Sequence, residues 1–261
     1  MALMAGKRGL VMGMSNSHSI GYGVSKALRD QGAELAFTVQ NEAIGKRMRP
    51  LAEELGGQHV LSCDVAEEGS IEACFEELKK SWDSIDFIVH SLAYADRNDL
   101  KGKYLETSRE NFLQAMLISS FSLTEVARAA RPMMKPGSAI VTMTFLGANR
   151  VIPNYNVMGV AKAGLEASLR YLATDLGPDG IRINGVSAGP MRTISGAAIG
   201  GSREIYNVCA DTAPLKRNAE LAEVGSAGLY FCSDLSSGVS GNIHYVDGGF
   251  HAMAMGLSTP E

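Results

Sequence analysis

Cysteine is scarce and scattered. The four, Cys63, Cys74, Cys209 and Cys232, form no C-x-x-C pair and no metal-ligand spacing. That argues against a disulfide framework or a metal centre, and buried free thiols in a reducing cytosol are expected. Long apolar runs are missing too. None approaches the roughly 20 residues that cross a bilayer, and residues 1–8 lack the apolar stretch and cleavage pattern of a signal peptide. Positive charge is not in excess. Lys and Arg number 24 against 28 Asp and Glu, a net charge of −4, so no polybasic surface for nucleic acid is expected. No internal repeat, linker or low-complexity tract breaks the chain. Its 261 residues, 46% of them hydrophobic, suit one large α/β domain spanning residues 1–261.

What is present is an alternation of short apolar runs with amphipathic stretches. Residues 8–13, 33–39, 59–63, 85–90, 138–144, 181–187 and 242–246 read as strands. Helices are expected over about 22–31, 42–55, 69–80, 107–134, 155–176, 203–210 and 220–232. Strands alternating with helices predict a doubly wound Rossmann-type fold with a seven-stranded, mostly parallel sheet. Ligands in such sheets bind at the carboxyl edge. Gly13, Gln40, Asp64, Leu92, Phe145 and Pro190 all fall at or near strand ends on that edge.

The turn after the first strand, Met14 to Gly23, has the strand–turn–helix placement that presents backbone N–H groups to a phosphate. The strict G-x-G-x-x-G fingerprint is absent. At the tip of the second strand stands Gln40, neither the acid that favours NAD nor the base that favours NADP. Lys46 and Arg47 lie further on, and NADH is the favoured cofactor. Asp64 could accept from an adenine amino group, with Val65 against the ring, or could cap a helix beginning near Glu67. His90 reads as a structural strand-end histidine. The glycine-rich stretch 195–202 and the short helix after it suggest a substrate lid over about 191–211, and residues 251–261 read as a tail.

Tyr155 and Lys162 are seven residues apart, about two turns of one helix. They are expected to point the same way. An ammonium beside a phenol would favour the phenolate and make the hydroxyl a better proton donor.

These pieces resemble the short-chain dehydrogenase/reductases and, within them, the bacterial NADH-dependent enoyl-acyl carrier protein reductases. The likeness runs from about Gly6 to Phe250. It rests on Gly13 with Ser19-Ile20, on Cys63-Asp64-Val65-Ala66-Glu67, on Pro153-Asn154-Tyr155-Asn156-Val157-Met158-Gly159, on Ser187-Ala188-Gly189-Pro190 and on Val246-Asp247-Gly248-Gly249-Phe250. Most short-chain reductases space Tyr and Lys by four. Here the fourth residue after Tyr155 is Gly159, and the wider spacing marks the enoyl reductase branch.

The resemblance implies that Gly13, Ser19 and Ile20 hold the pyrophosphate side of NADH. Gln40 would sit by the adenosine ribose, Asp64 and Val65 by adenine, and Leu92 by the nicotinamide ribose, whose hydroxyls Lys162 would bind. Met191, Arg192, Thr193, Ile194 and Ser195 would contact the carboxamide and diphosphate. Ala95, Met158 and Tyr155 would lie against substrate, a trans-2-enoyl thioester on acyl carrier protein. Arg192, Arg203, Lys216 and Arg217 would offer the acidic carrier a basic patch, and a cytoplasmic homotetramer is implied. Two residues depart from the pattern. Phe145 stands where a second tyrosine is usual, removing one hydroxyl from the catalytic group, and Ala93 replaces a glycine, which would narrow the pocket for flat aromatic inhibitors. A carbonyl reductase acting on 3-oxoacyl thioesters and a non-catalytic paralogue are the alternatives. The Tyr155–Lys162 spacing argues against the first and Phe145 keeps the second open.

Overall fold

The computed structural model describes residues 2–193, 196 and 200–254. Seven strands form a single parallel sheet: β1 (Arg8–Met12), β2 (Glu34–Val39), β3 (His59–Ser62), β4 (Ile85–His90), β5 (Met134–Thr144), β6 (Arg182–Ala188) and β7 (Ile243–Val246). Their order is β3-β2-β1-β4-β5-β6-β7. Every neighbouring pair is parallel. The strand order reverses between β1 and β4, which opens a crevice at their carboxyl ends.

The strands are apolar on both faces because both are covered. Leu10, Ile88, Ile140 and Ile183 pack to one side, under α3 (Ser70–Lys79), α5 (Ser122–Ala130) and α6 (Asn156–Leu176). Val11, Phe87, Val89 and Val141 pack to the other, under α1 (Ile20–Asp30), α2 (Glu42–Glu54) and a helix that opens at Leu221. The period of two along each strand thus serves two cores at once. All four cysteines are free and buried.

The sequence predicts one long helix over 107–134, and the structure divides it. Helix α4 (Arg109–Met116) passes into a π turn at Leu117–Phe121 before α5 begins. Pro132 then helps end the helical run, and β5 starts at Met134 rather than at Ser138. The early part of β5 is irregular: its register against β4 shifts between Ile85 and Phe87, and Gly137 takes φ +95°. An apolar period cannot distinguish α from π turns, and the Pro136-Gly137 pair hides a bulged strand start.

Among the described residues two further helices follow β6, α7 (Ser202–Thr212) and α8 (Leu221–Cys232). The segment before α7 contains Ile194 and Ser195, which lie outside the described residues. Among the described residues, no helix is long and apolar enough to cross a membrane. Phe250–Ala252 form a short 3-10 turn. His251 there is fixed to Asp247, whose carboxylate accepts from His251 Nδ1 at 2.9 Å.

Candidate active site

The carboxyl ends of the strands open into one cleft of about 1230 Å³. At its centre Gly13 ends β1 with φ +91°. A Cβ there would sit 2.0 Å from the carbonyl oxygen of Ser91, which leaves β4. Only glycine permits both the left-handed backbone and this approach. Past Gly13 the chain turns into α1, whose N-cap is the buried Ser19. Its Oγ donates to Asn16 O at 2.7 Å and accepts from the N–H of Tyr22 at 3.4 Å. Gly13, Ser19 and Ile20 line the cleft together, so bare strand-tip backbone and a helix N-terminus face the same space.

Gln40, Asp64 and Val65 line its β2–β3 end. The Asp64 carboxylate accepts from Gln40 Nε2 at 2.9 Å and from the Ala66 N–H at 3.0 Å. The helix-cap reading of Asp64 is corrected. Helix α3 begins at Ser70 behind Gly69, with φ +80° at that cap, and Asp64 instead donates its own N–H to Ser70 Oγ at 2.9 Å. Lys46 and Arg47 are exposed and do not line the cleft.

Leu92, Ala93, Ala95, Phe145, Met158 and the segment Met191–Thr193 form the other walls. Two side chains that sequence reasoning passed over hold the 93–96 wall. Ser119, fully buried in the π turn, accepts the Tyr94 N–H at 2.8 Å and donates to Tyr94 O at 3.0 Å. Asn111 accepts the Asp96 N–H at 2.9 Å and donates to Asp99 at 3.0 Å. The π turn is what aims Ser119 at this loop, and no local pattern announces it.

Tyr155 sits at the N-cap of α6 between two residues of positive φ, Asn154 (60°) and Asn156 (37°). Asparagine tolerates that region better than most residues. The strained turn sets the ring against bare backbone: a Cβ on Gly147 would lie 2.3 Å from the Tyr155 ring. Phe145 meets the same ring edge-on, with centroids 5.0 Å apart and planes at 73°. Phe145 therefore keeps the aromatic packing and supplies no hydroxyl.

Lys162 is buried and lines the cleft with Tyr155, as their spacing predicts. Its Nζ donates to Met143 O at 2.8 Å and to Leu92 O at 3.4 Å, not to the phenol. The expectation that the ammonium favours a phenolate is corrected. Burial, with the Glu166 carboxylate second, pushes the Tyr155 phenol above its ordinary value. Burial also pulls Lys162 down to about 8, against the opposing pull of Glu166. The pair is thus a neutral phenol beside an ammonium at neutral pH.

His90 ends β4 without lining the cleft. It is fully buried, with Nδ1 2.9 Å from Thr142 Oγ1 and Nε2 2.9 Å from Ser122 Oγ. Burial, with Lys162 adding, drives its pKa down to about 3, so the ring is neutral. It ties β4, β5 and α5 together beneath the carbonyls that hold Lys162, which accords with a structural strand-end histidine. Of the proposed basic patch, Arg192 lies over the Tyr206 ring, 4.7 Å from its centroid, and lines the cleft with Arg203. Arg217 is taken up by both oxygens of Glu223, at 2.8 and 2.7 Å, and Lys216 Nζ donates to Asp211 O at 2.9 Å.

A parallel sheet with its switch point between β1 and β4, a helix N-terminus over a glycine-only strand tip, and a buried Tyr–Lys pair across the cleft define a dinucleotide-dependent reductase. The family model described as enoyl-(acyl carrier protein) reductase matches residues 13–251, and the chain belongs to that family. It is 52% identical over 253 residues to an NADH enoyl-[acyl-carrier-protein] reductase of Rhizobium meliloti, covering 97% of this chain and 94% of the relative. The NADH enoyl-[acyl-carrier-protein] reductase of Escherichia coli is 46% identical, with 98% of each chain covered. The crystal structure of the Anaplasma phagocytophilum reductase in complex with NAD is 45% identical and superposes with a TM-score of 0.95, covering 98% of both chains.

Proposed function

We infer that this chain reduces the C2=C3 double bond of trans-2-enoyl-acyl carrier protein thioesters with NADH, the last step of the fatty acid elongation cycle. The observation that carries the reading is the buried Tyr155–Lys162 pair, seven residues apart and lining one cleft with a glycine-only strand tip.

The residues present fit a nicotinamide dinucleotide. Gly13 leaves the strand tip bare, where a Cβ would meet Ser91 O. Ser19 and Ile20 would hold the pyrophosphate at the α1 N-terminus, joined across the cleft by Met191, Arg192 and Thr193, with Ile194 and Ser195 assigned the same role by resemblance. Gln40 would lie by the adenosine ribose and Asp64-Val65 by adenine. Neither Lys46 nor Arg47 lines the cleft to meet a 2′-phosphate, so NADH is favoured over NADPH. Leu92 and Lys162 would meet the nicotinamide ribose.

Bound NADH supplies the hydride that goes to C3 of the enoyl chain. Negative charge then gathers on the thioester oxygen. The Tyr155 hydroxyl, held protonated by burial, donates a hydrogen bond to that oxygen where the charge develops, and a proton taken up at C2 completes the saturated thioester. Lys162 adds a positive field in a desolvated site. Ala95, Met158 and the Phe145 ring wall the acyl chain and exclude water.

Acyl carrier protein is acidic, and Arg97, Arg192 and Arg203 on the cleft rim support docking there, with residues 191–211 as the lid. Leu113 in α4, Phe121 in the π turn and Tyr171 in α6 are 60%, 47% and 78% exposed. These neighbouring helices support burial between subunits of a homotetramer. The reading is of a one-domain cytoplasmic enzyme. Replacing Tyr155 with Phe tests it: kcat on an enoyl thioester is expected to fall about 10²–10³-fold, the loss typical of one oxyanion donor, with NADH affinity retained. An unaltered kcat would contradict the reading.

A further inference from the structure

One buried acid is left over by this chemistry. Glu166 is 5% exposed and lies one helical turn beyond Lys162 on α6. Its Oε1 accepts from Thr144 Oγ1 at 2.7 Å and its Oε2 from Asn149 Nδ2 at 2.9 Å. Both donors are neutral, and among the described residues no cationic side chain touches this carboxylate. A buried carboxylate without a counter-charge is costly, and proteins generally pair it.

The nearest buried cation is Lys162. Its ammonium is held by Met143 O, and the Glu166 carboxylate by the side chain of Thr144, the next residue of β5. The two opposite charges are thus anchored to consecutive residues of one strand and to one face of one helix. Residues four apart on a helix are neighbours, about 5–6 Å between Cβ atoms. We propose that Glu166 is a positioning residue of this active site: it is the buried counter-charge that keeps Lys162 an ammonium through the working pH range. The proposal rests on the reductase reading for its catalytic consequence, and on the side-chain geometry together with the pull of Glu166 on Lys162 for its electrostatics.

The charged and titratable groups around the pair are few. From α6 come Tyr155 and Glu166 itself. From β4 comes His90, a neutral ring that offers Lys162 no compensation. From β7 comes Tyr245, whose hydroxyl lies 3.4 Å from Asn149 Nδ2. Arg150, next to Asn149, acts on Tyr245, but its guanidinium turns to Asn149 O at 3.1 Å. Glu166 is therefore the nearby negative charge that opposes the burial of Lys162. Ser187, in register between Thr144 and Tyr245, carries a buried Oγ without a hydrogen-bond partner among the described residues. That orphaned hydroxyl extends the same polar cluster behind the catalytic pair.

The test titrates Lys162 directly. Acetic anhydride labels lysines only as free amines, and the rate on the Lys162 peptide, followed by mass spectrometry against pH in the cofactor-free full chain, gives its midpoint. The alkaline limb of kcat/KM on an enoyl thioester is measured in parallel. In Glu166→Gln and Glu166→Leu the labelling midpoint should fall by about 2 pH units, as a unit charge at that spacing and an effective dielectric of about 20 implies. The alkaline limb should move with it, and Glu166→Asp, which keeps the charge, should stay nearer the parent. Thermal melting confirms folding. Unshifted midpoints in a folded neutral variant would overturn the proposal. So would a failure of both neutral variants to fold while Glu166→Asp folds, since the role would then be structural. If no form oxidises NADH, the reductase reading fails while the labelling result still decides the electrostatics.

Discussion

Replacing Gly13 with alanine probes the point where fold and site meet. Two costs add there. The backbone has φ +91°, and holding a non-glycine residue in left-handed space costs about 1–2 kcal/mol. The new methyl would also lie 2.0 Å from Ser91 O, a contact that closes only if the tips of β1 and β4 part. Forcing extra volume into close-packed structure costs about 1–3 kcal/mol. The sum, about 2–5 kcal/mol, corresponds to a fall in melting temperature of about 5–15 °C for a chain of this size. Gly56→Ala is the control, because Gly56 has φ +71° but nothing within 4 Å of its would-be Cβ. It should show the backbone cost alone. Thermal and urea unfolding measure both, and NADH fluorescence titration should show weakened binding in Gly13→Ala only. Equal destabilisation of the two variants, with NADH binding intact in both, would refute the reasoning about the strand tip.

Other outcomes follow from the same geometry. Phe145→Tyr keeps the edge-on contact with Tyr155 and restores a hydroxyl; kcat/KM should change far less than the about 10²-fold that a missing oxyanion donor costs, and a gain of that size would show that the parent site lacks a working donor. His90 is held neutral when folded, down to about 3, whereas in the unfolded chain it takes up a proton as pH falls through its ordinary value. Its contribution is therefore fully present above that value and lost below it, at about 1.4 kcal/mol per pH unit. Urea unfolding from pH 7 to 5 should show that slope in the parent and a flatter one in His90→Gln, and identical slopes would remove the assignment.

Much of this was legible in the residues. Strands buried on both faces write themselves as apolar runs, so the sequence locates β4 at 85–90, and the other strands differ from their apolar runs mainly at their ends. Residues assigned to the cleft from strand tips do line it wherever the structure describes them, because a parallel sheet gathers its carboxyl ends on one edge. What escaped notice depends on tertiary contact. The π turn that aims Ser119, the bulged start of β5 and the hydrogen bond from Gln40 to Asp64 have no local signature. The protonation of Tyr155 is not legible in the spacing, which puts Lys162 on the right face but says nothing of where its ammonium points: Met143 O and Leu92 O take it. Glu166 is within reach of sequence reasoning, since it lies four residues beyond Lys162 on the same expected helix.

Enoyl reduction requires that the Tyr155–Lys162 pair serve a carbon–carbon double bond rather than a carbonyl. NADH oxidation should be followed with a trans-2-enoyl thioester and a 3-oxoacyl thioester of equal chain length, side by side on the same protein. Turnover of the enoyl substrate alone is the predicted result. Preference for the 3-oxoacyl substrate would contradict it in favour of a carbonyl reductase, and NADH binding without turnover of either would mark a non-catalytic protein.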